Sequence, residues 1–206
     1  MAKDRTSAVV KKELDRLAEK GMTLSISQLD PTTYKFDFNF EIMKYHRQRA
    51  GRFGQYDPLH KYKEIVKNLI QESLRDQQIE LPETYWTAPF RIKIECFTPP
   101  KKGSGSKKSL LYKLLGYIKR SIYPDLDNLA KTPMDIMNQL IWYDDAQAYE
   151  LTVRKAYSLE ETTVITVSFD PEDPTWSTGR LTPEEATRHA ELLNLIEDRI
   201  WSTTTD

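Results

Sequence analysis

Hydrophobic and polar residues alternate along four stretches of the chain, as they do in half-buried β-strands. The clearest is YKFDFNFEI at 34–42, in which every second side chain is aromatic or aliphatic. FRIKIECFTPP at 90–100 alternates in the same way until two prolines end it. AYELTVRKAY at 148–157 and TTVITVSF at 162–169 follow each other closely, so we expect them to pair as a hairpin.

Apolar residues three and four positions apart predict helices between these strands. The longest helix is predicted from about residue 58 to 77, where Asp57 and Pro58 make a favourable N-cap and first helical residue. A second helix is predicted around 128–140. The helix at 58–77 should bury five apolar side chains: Tyr62, Ile65, Val66, Leu69 and Ile70.

This order of elements predicts an α/β fold with a small mixed sheet flanked by helices. The 206 residues are enough for one domain with a sizeable core, which we assign to 34–169. A helical extension is expected at 1–33, because 7–20 has helical spacing. A second extension is expected at 170–206, with a capping box of Thr182 and Glu185.

Several classes of protein are disfavoured by the composition. No apolar run is long enough to cross a bilayer, and the first twenty residues lack the apolar core of a signal peptide. We therefore expect a cytoplasmic protein without a membrane partner. Cys96 is the only cysteine, so an intrachain disulfide is excluded, and histidines at 46, 60 and 189 do not have the spacing of a zinc site.

Charge is distributed unevenly along the chain. Residues 1–123 carry 24 lysines and arginines against 14 acids, whereas 124–206 carry 6 against 17. The segment KKGSGSKKSLLYKLLGYIKR at 101–120 holds seven basic residues and no acid, and we interpret it as a mobile basic loop. An acidic site beside a basic surface suits a protein that handles polyanions. The alternative is that two polar regions merely differ in sign.

Four aspartates flank one short apolar segment, in YPDLDNLAK at 123–131 and WYDDAQ at 142–147. Positions i and i+2 of a helix point in nearly opposite directions, so Asp125 and Asp127 can face one ion only if Asp125 lies in extended backbone before the helix. Lys131 then follows Asp127 by one turn. Carboxylate oxygens without nitrogen or sulfur ligands suit Mg²⁺ or Mn²⁺. Taken singly, each acid is more typical of a helix cap or a turn residue than of a catalytic group.

PDLDNLAK, followed by Asp135 and WYDDAQ, resembles the signature of the RusA family of Holliday junction resolvases. IECFTPP and RAGRFGQYDPLHKY extend the resemblance over roughly 34–168. It implies a homodimeric, Mg²⁺-dependent endonuclease, of bacterial or phage origin, that nicks opposed strands of four-way DNA junctions in recombination and repair. Mn²⁺ is an alternative metal. A flap or fork nuclease, or a DNA-binding protein of the same fold that does not cleave, are the alternative functions.

The resemblance also implies a role for individual residues. Asp125, Asp127 and Asp145 would be the metal-binding catalytic acids, with Asp144 as an accessory acid or a turn residue. Lys131 would stabilise charge on the scissile phosphate. Thr132, Pro133 and Asp135 depart from the family pattern, because they resemble the start of a new helix.

The DNA-binding surface is expected on two basic segments. In the loop before the helix at 58–77, arginines are mixed with aromatic residues, as is usual at a nucleic-acid surface. Lysines of the basic segment lie a few residues ahead of the acids. The candidates are Arg47, Arg49, Arg52, Lys101, Lys102, Lys107 and Lys108. Trp142 and Tyr143 are predicted to lie in the core.

Overall fold

A computed structural model describes most of the chain between residues 19 and 170. The described residues are 12, 15, 16, 19–45, 49–51, 54–101, 103, 105–170, 187 and 188. The chain divides into two compact units, Met1–Pro171 and Glu172–Asp206. The strands and helices named below all belong to the first unit.

Between residues 24 and 169, the described residues form seven strands and three α-helices in the order of an α/β protein. The strands are β1 (Leu24–Asp30), β2 (Thr33–Phe38), β3 (Arg49–Gly51), β4 (Gly54–Tyr56), β5 (Phe90–Thr98), β6 (Ala148–Tyr157) and β7 (Thr162–Phe169). The helices are α1 (His60–Asp76), α2 (Lys107–Leu114) and α3 (Leu126–Met137). Short 3₁₀ helices cover Glu83–Trp86 and Asp145–Gln147.

The main sheet is mixed, which confirms the predicted fold class. Its strand order is β1-β2-β7-β5-β6, while β3 and β4 form a separate two-stranded sheet. Only β5 and β6 are parallel, and the other neighbours are antiparallel. Parallel neighbours require a crossover connection, which here contains α2 and α3.

The hairpin predicted for 148–157 and 162–169 is wrong, although both strands exist with those bounds. Residues 158–161 carry the chain past β5, so that β7 pairs with β5 on one side and β2 on the other. Alternation within a strand identifies the strand but does not identify its neighbour. The partner of β6 is set by the crossover that precedes it.

The core lies between the central strands and the helices. β2, β5 and β7 each bury alternate side chains, and Phe36, Ile94 and Ile165 are completely buried. Burying a side chain of this size contributes about 1.5–3 kcal/mol. Helices α1 and α3 pack buried side chains onto this layer, whereas α2 buries none.

Helix α1 agrees with the prediction only in part. Tyr62, Val66 and Ile70 are buried, whereas Ile65 is exposed and Leu69 packs at the margin of the core. The predicted N-cap at Asp57 is wrong, because the helix starts at His60 with Leu59 as its N-cap and no capping side chain. The Asp57 carboxylate instead accepts a hydrogen bond from the Leu59 N–H (2.8 Å) in the preceding turn.

Other predictions differ from the structure at the ends of elements and toward the chain termini. The strand predicted at 34–42 stops at Phe38, although Phe40 and Ile42 remain buried. β1, which pairs with β2, was not predicted. In the region assigned to the first extension, residues 12, 15, 16, 19 and 20 are helical, whereas Leu24–Asp30 forms β1 of the main sheet. The proposed capping box at Thr182 and Glu185 lies outside the described residues. In the described part of the chain, no helix is both long and apolar enough to cross a membrane.

Candidate active site

Asp125 occupies the extended residue immediately before α3. Its backbone angles are φ −71° and ψ 157°, and its carbonyl oxygen accepts a hydrogen bond from the Leu129 N–H (3.2 Å). Its carboxylate makes no capping hydrogen bond and is exposed. Asp127 lies in the first helical turn and is also exposed. The backbone thus has the extended-then-helical form that two aspartates at i and i+2 need to face one ion.

Helix α3 continues through the position where the sequence suggested a fresh start. Pro133 lies inside the helix, and Thr132 is buried with a hydroxyl that has no hydrogen-bond partner among the described residues. Proline lacks an N–H, so the helix gives up one internal hydrogen bond there. Lys131 consequently belongs to the same helix as Asp127, one turn further along.

The helix start is fastened to the segment that follows β2. The Tyr45 N–H donates to the Asn128 carbonyl oxygen (2.8 Å), and the Lys131 ammonium lies 4.2 Å from the centre of the Tyr45 ring. In the same way, the Lys44 ammonium lies 3.9 Å from the centre of the Tyr123 ring. These contacts hold Lys131 beside the helix start through cation–π attraction. No local pattern pointed to Tyr45, because the two segments are distant along the chain.

The distal acidic pair forms a turn with its own hydrogen bonds. The Asp144 carboxylate accepts from the Ala146 N–H (2.8 Å), and the Gln147 side-chain oxygen accepts from the Asp144 N–H (2.8 Å). This reciprocal arrangement is a capping box, so Asp144 stabilises the short helix Asp145–Gln147. The Gln147 amide also donates to the Ala88 carbonyl oxygen (2.9 Å), which fixes this turn against the residues that precede β5. Asp145 is exposed.

The two acidic pairs lie at opposite ends of the crossover. Lys155, near the end of β6, donates to the Pro124 carbonyl oxygen (2.6 Å), which places the residue before Asp125 at that end of the sheet. Tyr143 donates from its N–H to the Trp86 carbonyl oxygen (3.0 Å), just ahead of the first residue of β5. The twelve residues of α3 span about 18 Å between them. One copy of the chain therefore does not bring Asp144 and Asp145 to Asp125 and Asp127.

The donor set at the start of α3 fits a hard divalent cation but does not complete its coordination. Asp125 and Asp127 offer carboxylate oxygens, which Mg²⁺ and Mn²⁺ prefer. Among the residues that the structure describes, no three histidine, cysteine or acidic side chains converge as ligands. The remaining positions would fall to water, to phosphate oxygens or to acids of a second copy.

Asp135, the acid inside α3, is engaged in a separate ion-pair cluster. The Lys63 ammonium lies 2.7 Å from the Asp57 carboxylate and 2.8 Å from that of Asp135. Burial by itself would lower the pKa of Lys63, but hydrogen bonds and attraction from both carboxylates outweigh it and raise the pKa. Burial would likewise raise the pKa of Asp57, and the hydrogen bonds from Lys63 and the Leu59 N–H lower it. The cluster joins α1 to α3 behind the candidate site.

The candidate DNA-binding residues are placed unevenly. Lys101 is exposed, and Lys107 and Lys108 are exposed in the first turn of α2, which Ser106 caps. The basic segment is therefore helical in part, where a loop was expected. Arg49 lies on β3, while three candidates lie outside the described residues: Arg47, Arg52 and Lys102.

The aromatic residues before the distal pair divide between core and surface. Trp142 is fully buried and packs on Phe90, with ring centres 4.4 Å apart. Tyr143 is 56% exposed, so its predicted place in the core is wrong. Tyr143 instead meets the edge of Trp86 at 6.0 Å between ring centres.

Comparison with known proteins identifies the family. Residues 39–168 match the family described as endodeoxyribonuclease RusA. The match covers more than half of the chain, which belongs to this endodeoxyribonuclease family. The resemblance seen in the sequence is thereby confirmed.

A relative with a similar sequence is the uncharacterized protein YqaN of Bacillus subtilis (strain 168). The two chains are 39% identical over 80 residues, which is 38% of this chain. The aligned region spans 56% of the length of YqaN.

Proposed function

We propose that the protein is a Mg²⁺-dependent endonuclease that resolves four-way DNA junctions by paired, symmetric nicks in recombination and repair. It would act in the cytoplasm. The observation that carries the proposal is the extended Asp125 at the start of α3, whose exposed carboxylate takes no part in capping the helix. An acid in that position costs repulsion from Asp127 without stabilising the helix through a cap, which favours a functional role.

Three side chains of one copy take two roles in this proposal. Asp125 and Asp127 hold the metal, which supplies Lewis-acid polarisation of the phosphodiester and activation of water when bound. Lys131 directs its positive charge toward the phosphate, and the Tyr45 ring limits how far its ammonium can move. Charge that is held in place before the reaction stabilises a developing negative charge without reorganisation.

The separation of the acidic pairs supports a homodimer in which each site takes Asp145 from the second copy. β6 is an edge strand of the main sheet, and its Tyr149 and Leu151 are 53% and 47% exposed. If two β6 edges pair antiparallel about a twofold axis, the first residues of one strand face the last residues of the other. The turn carrying Asp145 would then approach the Asp125 end of its partner.

The basic residues ahead of the acids are proposed to bind the DNA backbone. The first turn of α2 carries Lys107 and Lys108 and no acid, and cations at a helix N-terminus are unfavourable unless an anion offsets them. A nearby DNA phosphate would supply that anion. The proposed surface comprises Arg47, Arg49, Arg52, Lys101, Lys102, Lys107 and Lys108.

The decisive experiment compares cleavage and binding in the same variant. Asp127→Asn should abolish nicking of a synthetic four-way junction in Mg²⁺, because it removes a metal ligand, while junction affinity stays equal or rises. Asp125→Asn should behave alike. Asp144→Asn is the matched control, since its carboxylate caps a turn, and it should reduce the rate far less.

Two results would overturn this assignment. Wild-type turnover by Asp127→Asn would remove that residue from the mechanism. Faster cleavage of flaps or forks than of four-way junctions, measured on one substrate panel, would replace junction resolution by another branched-DNA activity. Mn²⁺ in place of Mg²⁺ tests the metal in the same assay.

A further inference from the structure

A basic groove lies between the end of β6 and the chain that leaves α2. Its volume is about 470 Å³, which is within the usual range for ligand sites. Of the described residues that line it, five are cationic and none is acidic. The cations are Lys113, Lys119, Arg120, Arg154 and Lys155.

The local backbone brings these cations together from two distant parts of the chain. Gly116 has φ +77°, a conformation that favours glycine, and it ends α2 so that the chain turns back. Lys113 before the turn and Lys119 after it consequently line the same groove. Arg154 and Lys155 line it from β6.

Arg120 provides a fixed charge with unmet hydrogen-bonding capacity. The residue is only 7% exposed, and its Nη2 donates to the Glu41 carboxylate (3.2 Å). Its Nε and Nη1 are buried and have no hydrogen-bond partner in the described part of the chain. A buried guanidinium donor without an acceptor is costly, so an anionic oxygen in the groove would be stabilised there.

The groove is connected directly to the acidic site. Lys155 lines the groove, and its ammonium donates to the carbonyl oxygens of Ile122 (2.7 Å) and Pro124 (2.6 Å). Asp125 follows Pro124. A polyanion that passes over the acids is therefore led toward the groove by positive charge.

We propose that this groove binds the sugar-phosphate backbone of the junction, beside the strand that is cut. The inference deepens the proposed nuclease function and rests on it for the identity of the polyanion. Glu41 and Glu95 neutralise part of the charge through Arg120 and Arg154, respectively, and the groove keeps a net positive charge. The groove is distinct from the lysines at the start of α2 and adds a second backbone contact at the other end of that helix.

The test removes two exposed cations and leaves the acids and the buried Arg120 untouched. The groove variant combines Lys119→Ala with Arg154→Ala, and the control variant combines Lys61→Ala with Arg75→Ala on α1. Each variant loses one lysine and one arginine, so their net charges are equal. Affinity for a fluorescent four-way junction is measured without a divalent metal over a range of salt concentrations, after thermal melting has shown that each variant folds.

Each phosphate contact adds almost one unit to the slope of log affinity against log salt. The groove variant should lose about one to two units of slope and bind on the order of tenfold more weakly near 0.1 M salt, whereas the control variant keeps the wild-type slope. Equal slopes in all three proteins would overturn the proposal. Equal flattening in both variants would also overturn it, because only total charge would then matter.

A second arm separates DNA from a small anion. Inorganic phosphate is added in increasing amounts to the wild type and to the groove variant. Binding is detected as a rise in the melting temperature. Stabilisation that the groove variant loses, together with an unchanged junction slope, would mean that the groove holds free phosphate and would refute DNA binding. The nuclease function is judged separately, by nicking in Mg²⁺ or Mn²⁺. If the wild type never nicks, but its salt slope for junction binding is flattened in the groove variant, the nuclease function is refuted and DNA binding in the groove is supported.

Discussion

Mixing two inactive variants should restore nicking if each site draws acids from both copies. Asp127→Asn disables the acids at the start of α3, and Asp145→Asn disables the distal turn. Two ligand oxygens of one Mg²⁺ lie within about 4 Å of each other, because each sits about 2.1 Å from the ion. The helix α3, about 18 Å long, lies between the two pairs within a copy. Sharing one ion therefore requires the second copy.

The expected yield follows from the symmetry of a twofold dimer. Random exchange makes about half of the dimers mixed, and each mixed dimer has one site with both substitutions and one intact site, which gives about a quarter of the wild-type sites. Each variant alone should fall at least a hundredfold below wild type, on the order of 3 kcal/mol in barrier height. Nicks on a labelled four-way junction are counted on denaturing gels. Mixed dimers should nick one strand without producing paired cuts.

A mixture of Asp125→Asn and Asp127→Asn is the matched control. Both substitutions affect the same acidic pair, so each mixed dimer has two damaged sites and no activity should return. If mass measurement shows that subunits have exchanged and the Asp127→Asn and Asp145→Asn mixture still does not nick, the shared site is refuted. Recovery in the control would mean that Asp125 and Asp127 do not serve one ion together.

Three further outcomes are expected. Lys131→Ala should slow cleavage by about ten- to a hundredfold while junction affinity changes little, because a charge directed at the transition state adds little to ground-state binding; equal losses in rate and affinity, measured in parallel, would make Lys131 a simple phosphate contact. Asp57→Asn should lower the free energy of unfolding in urea by about 1–2 kcal/mol at neutral pH, because it removes a partner of Lys63. The pKa of Asp57 is lowered in the folded protein, so its stabilisation is present above about pH 4 and is lost as pH falls through the folded value; a difference from wild type that persists undiminished at pH 2.5 would contradict this assignment. Burial, followed by the charge of Glu41, raises the pKa of the Cys96 thiol to about 12, so alkylation at pH 8 should require unfolding, and rapid labelling of the native protein would show that the thiol is accessible.

Local sequence patterns predicted individual strands well and their neighbours poorly. β6 and β7 have the predicted bounds, because alternation reports which face of a strand is buried. The same alternation does not state which strand lies alongside, so the hairpin was wrong. β1 was missed because its burial alternates only at Leu24 and Ile26, and its remaining residues are exposed.

The candidate site was predictable where it depends on neighbouring residues. Pro124 and the spacing of Asp125 and Asp127 indicated extended backbone followed by a helix, and α3 begins in that way. The contact between Lys131 and Tyr45 depends on how β2 continues toward α3, which no local pattern encodes. The separation of the two acidic pairs could not be predicted from local sequence either, because it follows from the parallel pairing of β5 and β6.

The position of β7 has a consequence for how the protein is made. β7 is the last strand of the sheet to be synthesised, yet it lies in the middle, where Ile165 is opposite both Phe36 and Ile94. Until that strand leaves the ribosome, β2 and β5 each present an open edge, and such edges pair readily with other chains. A message truncated before residue 162 would therefore yield two unjoined sheet fragments, so even a late premature stop should give an aggregating product.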